Sequence, residues 1–334
     1  MEDCLQVLCP KVTENMNEEL LKGFTKEEVS LALKQMEPLK APGLDGLTAG
    51  FFQNHWEKMG EEISIVVIEA LNSGNMPFCL NETNIALIPK VKNPVSVTEF
   101  RPISLFNVLY KLIFKVLANR LKRILPAIVS HTQSAFIPGR LITDKILVVY
   151  ETLHTMHTRL SGKTRFMVVK LDMSKAYDRV EWKFLEAVMK QLGFAPRWIR
   201  LIMMCVFTVK YAVMVNGNPC GSITPSRGLP QGDPISPYLF ILCAEALSAM
   251  VEKANVEGSL TGVPTSKKGP RVSHLFFADD SLLFCKSTLT QWSTMSSILR
   301  TYEEASGQRL NCNKTAIFFS KNTPQLTREE IGDC

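Results

Sequence analysis

The chain has 334 residues, 46% of them hydrophobic and 21% charged, with 38 Lys and Arg against 32 Asp and Glu for a formal charge of +6. That length and balance suit a folded core shared over two or three subdomains and exclude a disordered tail, a lone sandwich or a simple bundle. The net charge is only mildly basic, so its distribution says more than its sum.

After an irregular start, Thr25-Lys-Glu-Glu28 reads as a capping box opening a helix with Val29, Leu33 and Met36 on one face. Lys40-Ala-Pro-Gly-Leu-Asp-Gly46 breaks it; such a loop is usually a turn, while Lys40 and Asp45 beside glycines also suit the border of a phosphate path. Helices are predicted over 49–59 and 61–71, where Ile63, Val66, Val67, Ala70 and Leu71 recur at helical spacing. From Ile85 to Leu125 the balance turns basic, with Lys90, Lys92, Arg101, Lys111, Lys115, Arg120, Lys122 and Arg123 against Glu99 alone. Residues 107–125 have helical period: Leu109, Leu112, Ile113, Val116, Leu117, Leu121 and Ile124 share an arc, and Lys111, Lys115 and Lys122 lie opposite. A basic helix face is most often plain solvation, but without compensating acids this one is read as a polyanion contact, sequence-independent and salt-sensitive. Arg120 and Arg123 fall nearer the apolar arc and suit either ion-paired structure or function.

Gln133-Ser-Ala-Phe-Ile-Pro-Gly-Arg140 reads as a loop before a helix over 142–156. An apolar strand beginning at Phe166 then ends on Asp172. A helix is predicted over 182–192, with Phe184, Leu185, Val188, Met189 and Leu192 inward and Gly193 as its C-cap. Another follows near 198–206, and Tyr211-Ala-Val-Met-Val-Asn-Gly217 alternates and then turns as a hairpin does. The loop from Ser226 to Pro237 is dense in Gly and Pro ahead of an apolar helix reaching about Glu252, which permits close backbone approach to an anionic ligand. In His274-Leu-Phe-Phe-Ala-Asp-Asp-Ser-Leu-Leu-Phe-Cys285, two strand-forming runs flank adjacent carboxylates at a turn. A solvated turn explains one Asp but gives no reason to hold two like charges between buried strands. With Asp172, the pair makes a hard-oxygen set suited to Mg²⁺. A helix over 290–305 capped by Gly307, a loop over 308–314, a strand over 315–320 and a polar remnant complete the chain.

The nine cysteines form no CxxC or CxxH pair and several sit in apolar runs, so reduced core residues of an intracellular protein are expected rather than a zinc site. The apolar stretches near Leu201–Val209 and Pro234–Ala244 are too short to span a membrane, and Met1-Glu-Asp-Cys4 carries no secretion signal.

Seven segments in one order carry a resemblance: Lys-Ala-Pro-Gly-x-Asp-Gly at 40–46, Ile-Pro-Lys at 88–90, Phe-Arg-Pro-Ile-Ser-Leu at 100–105, Lys-Leu-Asp-Met-Ser-Lys-Ala-Tyr-Asp at 170–178, Gly-Leu-Pro-Gln-Gly-Asp-Pro at 228–234, Phe-Ala-Asp-Asp at 277–280 and Gly-Gln-x-x-Asn-x-x-Lys-Thr at 307–315. Together they closely resemble the reverse transcriptases of plant LINE-type non-LTR retrotransposons. Leu44 stands where the family pattern has Pro, and Pro230 where this subfamily usually has Arg.

The resemblance implies an α+β right-hand polymerase fold: a palm of antiparallel sheet with helices, helical and basic fingers, and a thumb largely absent. Residues 1–84 are expected to form an N-terminal helical extension leading into the fingers, 85–164 the fingers, and 165–334 the palm with fingers elements interleaved. The family's endonuclease and most of its thumb are expected to lie outside this chain. The implied activity is RNA-directed DNA polymerization, in which a DNA primer 3′-hydroxyl on an RNA template is extended with dNTPs by two-metal phosphoryl transfer. By the same resemblance Asp172 and Asp279 bridge two Mg²⁺ ions, for which Mn²⁺ can substitute, with Asp280 a weaker ligand and the Met173 carbonyl a further one. Tyr177 corresponds to the steric gate against a ribose 2′-hydroxyl, although by local pattern it is equally a core aromatic. Gln231 and Gly232 would lie under the templating base pair, and Lys90 and Arg101 on the incoming triphosphate, with a solvated surface the alternative for Lys90. Lys314 would donate a proton to pyrophosphate. Lys111, Lys115, Lys122 and Arg227 are expected on nucleic acid. Two other readings stay open: an inactive remnant that at most binds nucleic acid, and an RNA-dependent RNA polymerase, against which Tyr177 argues.

Overall fold

The computed structural model describes residues 1–77, 80–158, 162–266 and 269–332. Its strands are β1 (Glu82–Pro89), β2 (Phe100–Leu105), β3 (Phe166–Leu171), β4 (Lys210–Val215), β5 (Asn218–Ile223), β6 (Val263–Pro264), β7 (Arg271–Val272), β8 (His274–Phe277), β9 (Asp280–Lys286) and β10 (Ala316–Phe319). They form sheets ordered β2-β1-β4-β5, β10-β3-β9-β8 and β6-β7. The chain divides into two compact units, each assembled from separated segments: 12–124 with 193–239, and 1–11 with 125–192 and 240–334.

In the first unit β1 pairs antiparallel with β2 and parallel with β4, and β4 and β5 form a hairpin. That hairpin turns at Asn216 and Gly217, with φ of 50° and 81°, as a two-residue turn between right-twisted strands requires. The core lies along the helix Val108–Ile128, where Leu112, Ile113, Val116, Leu117, Leu121 and Ile124 are buried as their spacing predicts; Leu109 is only half-buried, and Phe114, outside that arc, is buried as well. Tyr110 packs between Phe106 and Phe114 at centroid distances of 4.7 and 4.2 Å, and its hydroxyl donates to the Cys205 carbonyl at 3.0 Å. The choice left open for Arg120 is settled by its partners. Only 4% exposed, it donates to Glu28 from Nε at 2.8 Å and Nη2 at 2.6 Å and to the carbonyls of Leu20, Lys22 and Gly23. Its guanidinium also lies 3.9 Å above the Phe24 ring. Arg123 is exposed.

Several expectations shift. The capping box of Thr25 and Glu28 opens the helix Lys26–Lys34 as read. The next interruption falls at His55, between the helices Ala49–Asn54 and Trp56–Ser73, and the second helix takes Gly60 into its interior. The start is not irregular: Glu2–Leu5 and Glu14–Leu21 are helical, the latter capped by Thr13 Oγ1, which accepts from Met16 N–H at 3.3 Å. The polar remnant at the end forms the helix Gln325–Gly332, anchored by Ile331, its one buried residue and too sparse a signal to set a period. Strands β1 and β2, read from sequence only as a basic stretch, mix exposed, half-buried and buried side chains with no clean alternation.

In the second unit the sheet β10-β3-β9-β8 is antiparallel throughout. Phe166, Val168, Leu275 and Phe284 pack with Met156 and Val263 into one core cluster. The helix Trp182–Leu192 has its predicted bounds, and Leu289–Ser306 ends at Gly307 with φ 76°. His274, at the start of β8, is 1% exposed; its Nε2 lies 2.8 Å from Ser248 Oγ and its Nδ1 2.9 Å from Ser273 Oγ. Among the described residues no helix is long and apolar enough to cross a membrane, and the seven described cysteines are all free.

Two stability predictions follow from these buried groups. Arg120→Met strands Glu28 and three carbonyls, and urea unfolding should show a loss of about 3–5 kcal/mol. Burial, with the charge of Lys145, pushes the His274 pKa down to about 4 from the ordinary 6.5. The folded state thus holds the ring neutral while the unfolded chain takes up a proton below about 6.5. Stability present above that pH should be lost as pH falls toward 4, by on the order of 3 kcal/mol, and His274→Gln should flatten this part of the profile in denaturant titrations at stepped pH.

Candidate active site

Strand β3 pairs with β9 in a register that runs from Phe166 opposite Lys286 to Leu171 opposite Ser281. Asp172 follows Leu171 and Asp280 precedes Ser281, so the register brings these two to the same end of the sheet. Across the other edge of β9, Phe277 of β8 pairs with Asp280, leaving Ala278 and Asp279 as the turn. Asp279 and Asp280 are exposed and Asp172 half-buried. The donor set is three carboxylates, hard oxygens of the kind Mg²⁺ or Mn²⁺ takes. Among the described residues no three His, Cys, Asp or Glu side chains are gathered into a ready metal-binding cluster, so the register delivers neighbours rather than a preformed cage.

The turn is strained. Ala278 is 8% exposed and has φ 54°, a left-handed conformation that costs a non-glycine residue about 1–2 kcal/mol. Its N–H donates to Gln133 Oε1 at 3.2 Å. Gln133 and its loop, read from sequence as a plain connector, were missed as part of the site; a Gln ahead of a Pro-Gly-Arg run gives no periodic signal.

The segment from Gly307 to Thr315 brackets Asp172. The Asp172 carbonyl accepts from Asn311 N–H at 2.8 Å, Ser174 N–H donates to the Arg309 carbonyl at 2.8 Å, and the Asp172 N–H reaches Thr315 Oγ1 at 3.4 Å. Met173 bridges to Leu310 between the first two of these bonds. Gln308, 1% exposed, donates from Nε2 to the Ala176 carbonyl at 3.1 Å and accepts from the Tyr302 hydroxyl. Lys314 is exposed one residue before Thr315. Half-buried Tyr177 stacks on Phe240 with centroids 4.8 Å apart and planes at 19°. Asp172, Met173, Tyr177, Asp279, Asp280 and Lys314 therefore all belong to the second unit.

The remaining candidates belong to the first unit. Exposed Lys90 and Arg101 sit near the end of the β1–β2 ladder, where Ile88 pairs with Arg101, and Lys90 Nζ donates to the Thr98 carbonyl at 3.0 Å. The Gln231 carbonyl accepts from Ser104 N–H of β2 at 3.0 Å. Gly232, with φ 113°, lies so close that a Cβ there would stand 3.1 Å from the Ser104 carbonyl, so this backbone approach needs glycine. Next to it Asp233 caps the helix Ser236–Val256, accepting from Ile235 N–H at 3.0 Å and from Ser236 N–H at 2.6 Å. Burial pushes the Asp233 pKa up to about 7 against those bonds.

A cleft of about 230 Å³ beside this loop is lined by Lys40, Lys111, Lys115, Gly232 and Asp233 among others. Burial, then the charge of Lys40, lowers the Lys111 pKa; burial, then Lys122 and Lys40, lowers that of Lys115. Three cations thus share one concave surface. Lys111 also donates to the Ala41 carbonyl at 3.1 Å, docking the 40–46 loop on its helix. Gly43 there lies where a Cβ would meet Asn107 Oδ1 at 2.0 Å. Asp45 turns back to the Leu47 N–H at 3.0 Å, the behaviour of a turn residue. Lys122 and Arg227 are exposed.

Comparison with known proteins bears on the family. Residues 88–328 match the model of the family described as reverse transcriptase (RNA-dependent DNA polymerase). The chain is 30% identical over 92% of its length to the Transposon TX1 uncharacterized 149 kDa protein of Xenopus laevis, covering 23% of that protein. It is 26% identical over 87% of its length to the retrovirus-related Pol polyprotein from type-1 retrotransposable element R2 of Popillia japonica, covering 39% of it. It is also 56% identical over 20% of its length to an uncharacterized mitochondrial protein of Arabidopsis thaliana, covering 56% of that one. The chain thus spans between about a quarter and little more than half of the length of these relatives. A family model matched over more than half of the sequence, on a fold whose sheet end collects the expected aspartates, identifies the chain as a member of the reverse transcriptase (RNA-dependent DNA polymerase) family.

Proposed function

We propose that this chain is the polymerizing part of a non-LTR retrotransposon protein, copying an RNA template into DNA by adding dNTPs to a primer 3′-hydroxyl. The observation that carries the reading is the β3–β9 register, which sets Asp172 and Asp280 at one sheet end within the segment matched by the family. The named elements of the relatives, TX1 and R2, support the retrotransposon origin. The Arabidopsis likeness over 68 residues supports a plant one.

In this reading the second unit acts as palm and the first as fingers, which moves 125–164 from the expected fingers to the palm and gives 193–239 to the fingers. Asp172, Asp279 and Asp280, with the Met173 carbonyl, hold two divalent cations, Mg²⁺ or Mn²⁺. When bound, such ions neutralise triphosphate charge and favour ionisation of the attacking hydroxyl. The protein's own part is orientation. Tyr177, stacked on Phe240, would act as the block against a ribose 2′-hydroxyl and so favour dNTPs. Gln231 and Gly232 offer flat backbone, pressed on β2, to the templating pair. Lys90 and Arg101 attract the triphosphate, and Lys314 supplies a proton to the departing pyrophosphate. Lys111, Lys115, Lys122 and Arg227 meet backbone phosphates.

Primer extension on an RNA template tests the reading. Asp279→Asn should reduce incorporation by about 10²–10³-fold or more. Its gel-shift affinity for primer–template should stay within a few-fold of wild type. A wild-type protein that binds primer–template but adds nothing with Mg²⁺ or Mn²⁺ would instead make the chain a nucleic-acid-binding remnant. Tyr177→Ala should raise rNTP use relative to dNTP use by about tenfold or more in single-nucleotide addition, since only a steric block is removed. A wild type that prefers rNTPs overturns the gate assignment and points to an RNA polymerase.

A further inference from the structure

We infer that Gln133 is a positioning residue for the aspartate turn: its side-chain oxygen fixes the Ala278 peptide, and with it the carboxylates that follow. The inference rests on the proposed role of Asp279 and Asp280. Strands β8 and β9 are joined by two residues, Ala278 and Asp279, and of these only Ala278 has positive φ. A two-residue hairpin turn of this kind normally places glycine at that first position. Here an alanine holds it, buried, so something outside the turn must keep the strained conformation in place.

Gln133 is built for that. It is 1% exposed, and its Oε1 accepts from both Ala278 N–H at 3.2 Å and Ala135 N–H at 2.9 Å. Its backbone runs alongside β8: Gln133 bridges in parallel to Phe276, Phe276 N–H donates to the Thr132 carbonyl at 2.9 Å, and Ser134 N–H to the Phe276 carbonyl at 3.2 Å. Arg140 then locks the loop. Its two terminal nitrogens donate to the carbonyls of Pro126, Val129, Ser130 and Gln133, four acceptors on one side chain. The segment Gln133–Arg140 is thus a brace seated on the strand that carries the turn.

The other half of the Gln133 amide argues against a purely structural role. Its Nε2 is buried with no hydrogen-bond partner, an unfavourable arrangement that a Met or Leu of similar size would avoid. What a glutamine supplies here and those residues do not is the acceptor shared by Ala135 and, across from the loop, Ala278. Removing it leaves the Ala278 N–H unpaired in a strained turn, which frees Asp279 and Asp280 to sample other directions. The expected consequence is weaker recruitment of the divalent ions, with little change at the surfaces that hold nucleic acid.

The test is primer extension across a Mg²⁺ titration for the wild type, Gln133→Met, Gln133→Met with Ala278→Gly, and Asp279→Asn. Gln133→Met should need about tenfold more Mg²⁺ for its half-maximal rate, the order expected when the buried bond to the Ala278 N–H is lost. Its primer–template affinity by gel shift should stay within a few-fold. Adding Ala278→Gly should recover most of the Mg²⁺ shift, because glycine takes the left-handed conformation without cost; a destabilised fold would not recover in this way. Asp279→Asn that still extends primers overturns the reading of the aspartates. If Asp279→Asn is inactive while Gln133→Met keeps the wild-type Mg²⁺ dependence, or the glycine gives no recovery, the positioning role alone falls. Should Gln133→Met fail to fold, amide hydrogen exchange on the wild type decides: protection of the Ala278 N–H is expected, and exchange at the rate of an unstructured peptide overturns the inference.

Discussion

The ladder between β3 and β9 sets both the core and the candidate site. Side chains alternate faces along a strand, so a slip of one residue would turn Val168 and Phe284 out of the cluster they share and carry Asp172 away from Asp280. Packing of the apolar residues therefore enforces the placement of the carboxylates, although the two groups share no contact chemistry. The arrangement explains why charged residues are tolerated at the end of so apolar a strand. Phe166, Met167, Val168 and Val169 are buried, and charge enters only toward the end of the strand, at exposed Lys170 and half-buried Asp172.

Around that ladder the buried polar residues act as fasteners between segments far apart in sequence. Gln308 ties the turn after Asp172 to the last turns of the helix Leu289–Ser306, Gln133 reaches the turn ahead of Asp279, and His274 joins β8 to Ser248. Each is nearly inaccessible to water, so each bond is made in a medium where an unmade one is costly. Arg120 does the same in the other unit, with a carboxylate and three carbonyls as its partners. Polar specificity laid over an apolar frame is how both units fix the course of long connecting segments.

How much of this was legible beforehand follows from the kind of signal each part leaves. Helices with one strong apolar arc, such as Trp182–Leu192, emerge with their bounds because period and capping agree. The hairpin carrying Asp279 and Asp280 was legible because two strand-like runs enclose a charge pair with no structural excuse. Strands β1 and β2 were not, since β1 is paired on both edges yet buries only Thr83 and Asn84, and neither strand alternates cleanly. The short N-terminal helices and Gln325–Gly332 have too few buried positions to set a period. Gln133 and Gln308 were invisible as contacts for another reason. A buried amide is recognised by the partner it meets, and that partner is chosen by tertiary structure alone.

The assembly of each unit from distant segments has a consequence for how the chain reaches its fold. Strand β3 lies between β9 and β10, both of which lie far downstream of it. As the polypeptide emerges from the ribosome, Phe-Met-Val-Val-Lys-Leu must wait with both edges bare until β9 has been made, and with one edge bare until β10 follows about thirty residues later. Bare apolar edges are templates for pairing with other molecules. Synthesis rate and chaperone cover over that interval should therefore govern how much of this protein escapes aggregation.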